Sequence, residues 1–144
     1  MPRLEQKREM NAPVERVYEI LNDLMILPRW NIVVTEISEL EKDKYFVKSN
    51  VGDLTNIVIE NIPNERITSD QEGSPMTKLG YILASKGEGV EVTLWGEFDE
   101  EAMRTVLEMA GELFLKSLKV YVDHVMAGGN PEEYEKKLRV IKKA

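Results

Sequence analysis

Two periodicities of apolar and polar residues divide the chain, with a period of two over most of its length and a helical period towards its end. Residues 4–10 alternate apolar or long side chains with charged ones, which indicates a strand. Segments rich in β-branched and aromatic residues, separated by turn sequences, predict six more strands, over residues 32–40, 45–51, 54–62, 65–71, 77–86 and 89–98. Because the intervening loops are short, successive strands are expected to pair antiparallel.

Two short helical segments are predicted between the first and second strands. Pro13 at a first helical position, with Glu15 in the first turn, is typical of a helix start. Apolar residues then recur every three or four positions, and this pattern ends near residues 22–27. Residues 28–30 begin a second short helix or turn.

A much longer amphipathic helix is predicted near the C-terminus. An apolar stripe extends from Met103 to Val125, and charged residues occupy the opposite face. Gly128 and Gly129 follow as a helix-ending pair. A sheet with one buried face needs a cover, and this helix is the only long amphipathic element in the sequence. We therefore expect an α+β fold in which a curved, seven-stranded antiparallel sheet wraps around a long C-terminal helix.

The pairing register of the last hairpin can be predicted residue by residue. If residues 86–89 form the loop, Tyr81 pairs with Leu94 and Leu83 pairs with Val92, so that the apolar side chains share one face. Trp95 then lies on the other face. A slip by one residue would turn the whole apolar set of one strand to the opposite face, so the register is well specified.

The composition is that of an ordinary globular protein of 144 residues, with 42% hydrophobic and 31% charged residues. The absence of cysteine excludes disulfides, thiolate metal sites and cysteine nucleophiles. A net charge of −7 argues against a nucleic-acid partner, since phosphates require a basic surface. No signal peptide and no membrane-spanning segment is recognisable, so we expect a cytoplasmic location without stable membrane insertion. Abundant Lys and Glu without cysteine are compatible with a thermophilic source.

Residues that could carry out catalysis are few. His124 is the only histidine, and no partner at the spacing of a catalytic triad or a zinc site accompanies it. The glutamates of the strands fall on outward positions, whereas a general acid needs a desolvated pocket. We therefore expect no catalytic residue, no metal and no cofactor.

Four short segments, in this order along the chain, resemble those of a known family. Residues 11–18 (NAPVERVY), 27–31 (LPRWN), 62–67 (IPNERI) and 89–98 look like segments of the START and Bet v 1-like superfamily, which includes polyketide cyclases/dehydrases and lipid-transport proteins. The nearest subgroups are the coenzyme-Q-binding START-like proteins and the proteins like the START-related subunit of carbon monoxide dehydrogenase. The resemblance covers roughly residues 3–127 and implies the helix-grip fold.

The resemblance also implies a ligand site. Members of the superfamily bind hydrophobic molecules such as lipids, quinones and polyketides between sheet and helix, which here implies a ligand-binding domain over residues 1–128 and a charged helical tail over residues 129–144. Candidate ligand contacts are the residues expected to face inward from both walls, namely Arg8, Trp30, Tyr45, Val47, Ser49, Leu79, Tyr81, Leu83, Val92, Leu94, Met103, Leu107, Ala110, Gly111, Phe114, Leu118 and Tyr121.

Two features of this candidate site allow a second interpretation. Ala110 and Gly111 leave space on the long helix, but small residues also permit close packing in a filled core. An inward Arg8 could bind an anionic group of the ligand, or it could extend to water at the sheet edge.

Three functions remain open at this point. The favoured one is a noncatalytic binding or carrier protein for a hydrophobic small molecule. The second is an enzyme of the cyclase or hydrolase kind that uses pocket tyrosines or Arg8. The third is a protein-interaction module that uses the basic tail or the face of Trp95. Exposed aromatic residues on the outer sheet face, Trp95 and Phe46, would also suit a homodimer contact.

Overall fold

The computed structural model describes residues 2–144 and contains one seven-stranded antiparallel sheet in the order β1-β7-β6-β5-β4-β3-β2. Its strands are β1 (Arg3–Met10), β2 (Val34–Glu41), β3 (Lys44–Ser49), β4 (Gly52–Ile62), β5 (Arg66–Glu72), β6 (Met76–Lys86) and β7 (Gly89–Phe98). Its helices are α1 (Val14–Asn22), α2 (Leu27–Trp30), α3 (Arg104–Met126) and α4 (Leu138–Lys142). The predicted helix-grip architecture is confirmed.

The register predicted for the last hairpin is also confirmed. Tyr81 pairs with Leu94 and Leu83 pairs with Val92 across β6 and β7. Irregularities in pairing interrupt β2, the middle of β4 and the start of β6. Bulges of this kind bend a strand and increase its twist, so they help the sheet to curve around α3.

Helix α3 begins after a single 3₁₀ turn at Glu101–Met103 and ends in a Schellman motif. Gly128 has a φ of 86°, which favours glycine, and its amide donates to the carbonyl of Val125 at 3.0 Å. The Gly129 amide donates to the carbonyl of His124 at 3.0 Å. The predicted end of the helix is therefore correct. No helix within residues 2–144 is long and apolar enough to cross a membrane.

The outer face of the sheet is less exposed than the sequence indicated. Trp95 does lie on this face, as predicted, but it is only 9% exposed because its ring packs over Gly80 and under the Arg3 guanidinium, which lies 4.3 Å from the ring centroid. Phe46 is half-buried. The expected exposed aromatic surface is thus wrong for Trp95, and the homodimer that it motivated remains a prediction.

The C-terminal tail packs against the rest of the protein. Ile141 is fully buried, and the ring of Tyr134 contacts Tyr121 edge-on at 5.0 Å. The Lys136 ammonium donates to the carbonyls of Asn31 at 2.9 Å and Val34 at 2.6 Å, and burial lowers its pKa. The tail is charged, as expected, but it is anchored by an apolar residue and a buried lysine rather than being solvated throughout.

Candidate ligand cavity

A cavity separates the first half of α3 from the concave face of the sheet. Leu107 and Phe114 of α3 form one wall, and side chains of β2 to β7 form the other. The enclosed volume is about 110 Å³, and the space between the walls extends to about 920 Å³ when the open mouth is included. The interior is therefore neither completely filled nor wide open.

A group of aromatic side chains lies between this cavity and the solid part of the core. Phe114 lines the cavity, and its ring lies 5.5 Å from Tyr81 and 5.3 Å from Trp30. Trp30 in turn stacks on Tyr121 at 6.4 Å. Trp30 and Tyr121 are completely or almost completely buried, so the second half of α3 closes the interior with tightly packed rings.

The sheet wall of the cavity carries a short chain of hydrogen-bonded polar side chains. Gln71 donates from Nε2 to Asn56 Oδ1 at 3.0 Å, and Asn56 donates from Nδ2 to Ser69 Oγ at 3.1 Å. Asn56 and Ser69 are buried, and all three residues line the cavity. Because the two amide groups orient each other, the Ser69 hydroxyl is held at a defined place on an otherwise largely apolar surface.

Two tyrosines of the cavity wall hold their protons strongly. Burial raises the pKa of Tyr81 well above its ordinary value. Burial also raises the pKa of Tyr45, with a further contribution from the neighbouring Glu39 carboxylate. Both phenols are therefore neutral at physiological pH, when they can donate a hydrogen bond but are poor proton donors in the acid–base sense.

Asn31 contributes a polar group from the α2–β2 connection. The side chain is 0% exposed and lines the cavity, and its Oδ1 accepts from the Val33 amide at 3.0 Å. Its Nδ2 is buried without an acceptor among residues 2–144. A backbone amide can only donate, so its contact with Oδ1 settles which end of the Asn31 amide faces Val33.

No charged side chain within residues 2–144 lines the cavity. The strand glutamates lie on the outside of the sheet, where Glu36 pairs with Lys48 at 3.4 Å and Glu60 pairs with Arg66 at 3.0 Å. Their predicted outward orientation is correct. The cavity thus combines an apolar lining with a few neutral polar groups, which is the usual constitution of a small-molecule site.

A family model for "Polyketide cyclase / dehydrase and lipid transport" matches residues 1–123. The chain belongs to this family. The START and Bet v 1-like resemblance seen in the sequence is therefore confirmed, whereas the two nearer subgroups remain predictions. No protein of curated function matches the chain.

Solved structures show the same fold as this polyketide cyclase/lipid transport family member. The Zhui aromatase/cyclase from Streptomyces sp. R1128 is 15% identical, with a TM-score of 0.75, and the match covers 90% of this chain and 99% of that one. A START superfamily protein from Mycobacterium smegmatis is 16% identical, with a TM-score of 0.73 and coverage of 85% and 98%. The Aha1 dimer from Colwellia psychrerythraea is 18% identical, with a TM-score of 0.68 and coverage of 85% and 96%.

Most of the predicted ligand contacts of this family member do line the cavity. They come from β3, β6, β7 and the first half of α3, and they are Tyr45, Val47, Ser49, Leu79, Tyr81, Leu94, Leu107, Ala110, Gly111 and Phe114. Gly111 also serves close packing, because a Cβ there would collide with the side-chain oxygen of Gln6 on β1. Both sequence-based interpretations of the small residues therefore apply, each to part of the helix.

The remaining predicted contacts lie elsewhere. Those that fill the solid half of the core are Trp30, Leu83, Val92, Leu118 and Tyr121. Met103 is half-buried in a small separate cluster with Leu4, Phe98 and Leu107. Arg8 is half-buried in a shallow groove beside Glu112 and Leu115, away from the cavity. Direct contact between these residues and a ligand in the cavity is not supported by their positions.

Several cavity residues were not predicted from the sequence. The polar ones are Asn31, Asn56, Ser69 and Gln71. The alternation that placed Val47 inside could have found three of them, because inward Leu54 on β4 implies inward Asn56, and inward Ile67 on β5 implies inward Ser69 and Gln71. No such signal exists for Asn31, which lies in a connection.

His124, the single histidine, has a structural position. Its Nε2 lies 3.0 Å from the carbonyl of Asn130, and its ring lies 5.1 Å from that of Tyr134. It is half-buried at the end of α3, far along the helix from the cavity-lining turn at residues 107–114. The histidine thus fastens the tail to α3, in agreement with the structural role expected from the sequence.

Proposed function

We propose that this protein is a noncatalytic binding or carrier protein for a hydrophobic small molecule of the lipid, quinone or polyketide kind, held between α3 and the sheet. The observation that supports this most strongly is an uncharged cavity at the place where the sheet and helix of this family separate. Its walls are mainly aliphatic and aromatic, so a bound apolar molecule gains about 25 cal/mol for each Å² removed from water.

The size of the cavity restricts how such a ligand binds. An apolar cavity of roughly 150 Å³ accommodates benzene, and ligand pockets commonly measure about 300–1,000 Å³. The enclosed 110 Å³ therefore receives one ring or a short alkyl segment, and the rest of a larger molecule occupies the mouth. A ligand of the proposed kind binds with one end inside and the other end near solvent.

An enzymatic function of the cyclase kind is the alternative, and one structural neighbour is an aromatase/cyclase. General acid–base catalysis needs a group whose pKa lies near the working pH. The ionisable groups that line the cavity within residues 2–144 are Tyr45 and Tyr81, and burial moves the pKa of both away from neutrality. This favours binding over catalysis.

The proposed partners follow from the same features. The ligand is a small molecule, and the acidic net charge of −7 disfavours nucleic acid. A cytoplasmic location is part of the proposal, as is dimerisation through the outer sheet face. Sedimentation of the purified protein at several concentrations tests the dimer.

The proposal is tested by titrating the purified protein with Nile red, an uncharged apolar dye, while an organic extract of the same preparation is examined by mass spectrometry. We expect saturable binding of one dye per chain, competition by apolar molecules, and co-purified lipophilic compounds in the extract. Absence of saturable binding, together with an extract that contains no such compound, would contradict the proposal.

A further inference from the structure

We propose that the cavity selects an uncharged ligand whose buried end carries a hydrogen-bond acceptor, such as the carbonyl oxygen of a ketone or an ester. This inference rests on the proposed function and adds the chemical class of the ligand. Three polar groups of the cavity and the absence of charge from its lining support it.

Asn31 provides the first group. Its Nδ2 is a donor that cannot accept, and it is buried without a partner among residues 2–144. Buried donors are nearly always paired in folded proteins, so an unpaired one beside a cavity indicates that something else supplies the acceptor. The opposite end of the same amide is already bonded to the Val33 amide at 3.0 Å, so the side chain cannot rotate to hide its donor.

Tyr81 and Ser69 provide the second and third groups. The Tyr81 hydroxyl has no hydrogen-bond partner within residues 2–144, although the side chain lines the cavity and is buried. Ser69 accepts a hydrogen bond from Asn56 Nδ2 at 3.1 Å, which leaves the proton of its own hydroxyl without an acceptor in the described chain. The cavity therefore presents three donors that the protein does not satisfy, and an acceptor oxygen complements all of them.

The charge of the ligand follows from what the cavity lacks. Burial of a carboxylate requires a cationic partner, because an isolated buried charge is strongly unfavourable. Arg8 lies in a separate groove, and the Lys136 ammonium is bonded to the backbone carbonyls of Asn31 and Val34, behind the cavity wall. Neither cation lines the cavity, so a fatty-acid-like anion is disfavoured and a neutral carbonyl compound is favoured.

The test compares three probes of nearly the same shape by fluorescence titration, namely 2-acetylnaphthalene, 2-isopropylnaphthalene and 2-naphthoate. Tyr81→Phe removes one donor while it keeps the ring. We expect this variant to bind the ketone roughly fivefold more weakly or worse, and to bind the hydrocarbon within about twofold of the unmodified protein. Tyr18→Phe, whose hydroxyl bonds Asn61 away from the cavity, is the matched control and should change neither affinity.

The infrared carbonyl stretch of bound 2-acetylnaphthalene gives a second readout, which a purely structural effect of the substitution would not move. We expect the frequency of a hydrogen-bonded ketone in the unmodified protein and a shift towards that of the free ketone in Tyr81→Phe. A free-ketone frequency in the unmodified protein, equal losses for ketone and hydrocarbon, or tighter binding of 2-naphthoate than of the ketone would each overturn the inference and leave the proposed function standing. Failure of all three probes to bind would instead contradict the proposed function.

Discussion

We expect Ala110→Phe to lower the affinity of the protein for Nile red by at least tenfold while the fold persists. Ala110 lines the cavity from the middle of its α3 wall. The substitution adds a ring of benzene size, and the enclosed 110 Å³ is smaller than the roughly 150 Å³ that accommodates benzene. The new side chain therefore competes directly with the ligand for the same space. Dye titration measures the affinity, and circular dichroism verifies the fold.

The neighbouring residue supplies the control for this result. Met109 is 62% exposed and does not line the cavity, so Met109→Phe places the same side chain on the same helix without blocking the site. A second blocking variant, Val47→Phe, fills the cavity from the sheet wall. Equal affinities of Ala110→Phe and Met109→Phe, with Val47→Phe also unchanged, would show that the dye binds somewhere else.

The largest stability effect outside the sheet is expected at Ile141. This residue of α4 is 0% exposed and packs in the contact between the tail and α3, where Lys116 Nζ also donates to the carbonyl of Lys142 at 3.0 Å. Truncation of a buried isoleucine to alanine typically costs about 2–5 kcal/mol, because it removes buried apolar surface and leaves a cavity. Chemical denaturation of Ile141→Ala should show a loss of this size in the free energy of unfolding.

The adjacent Val140 is 46% exposed, so Val140→Ala should change the free energy of unfolding by no more than about 0.5 kcal/mol. A similarly small effect of Ile141→Ala would mean that the tail is not stably docked. The proposed boundary between residues 128 and 129 would then separate a folded domain from an appended segment, rather than divide one cooperative unit.

The fold was largely predictable because its information is local. The alternation of β6 and β7 fixed the pairing of Tyr81 with Leu94, since a slip by one residue would have exposed the apolar face. The helical stripe and the glycines after it likewise placed the end of α3. What the sequence could not show is that Gly80 lets Trp95 lie flat against the sheet, since that contact depends on two strands and on Arg3 of a third.

The cavity was predictable only in part, because a void is a property of how elements fit together. The same stripe on α3 lines open space at Leu107 and Phe114 and fills a solid core at Leu118 and Tyr121. Sequence periodicity identifies the face of a helix but not the distance to the opposite wall. Asn31 illustrates the limit most clearly, since its role depends on an unpaired donor that no sequence pattern reveals.

The central claim is that an apolar space exists between Leu107–Phe114 and the concave sheet, and a xenon-pressurised crystal tests it most directly. Xenon binds in empty apolar cavities of this size. We predict xenon density enclosed by Phe114, Leu94 and Leu54. Crystals that bind xenon only at the surface, with the side chains of α3 and the sheet in continuous contact, would contradict the claim.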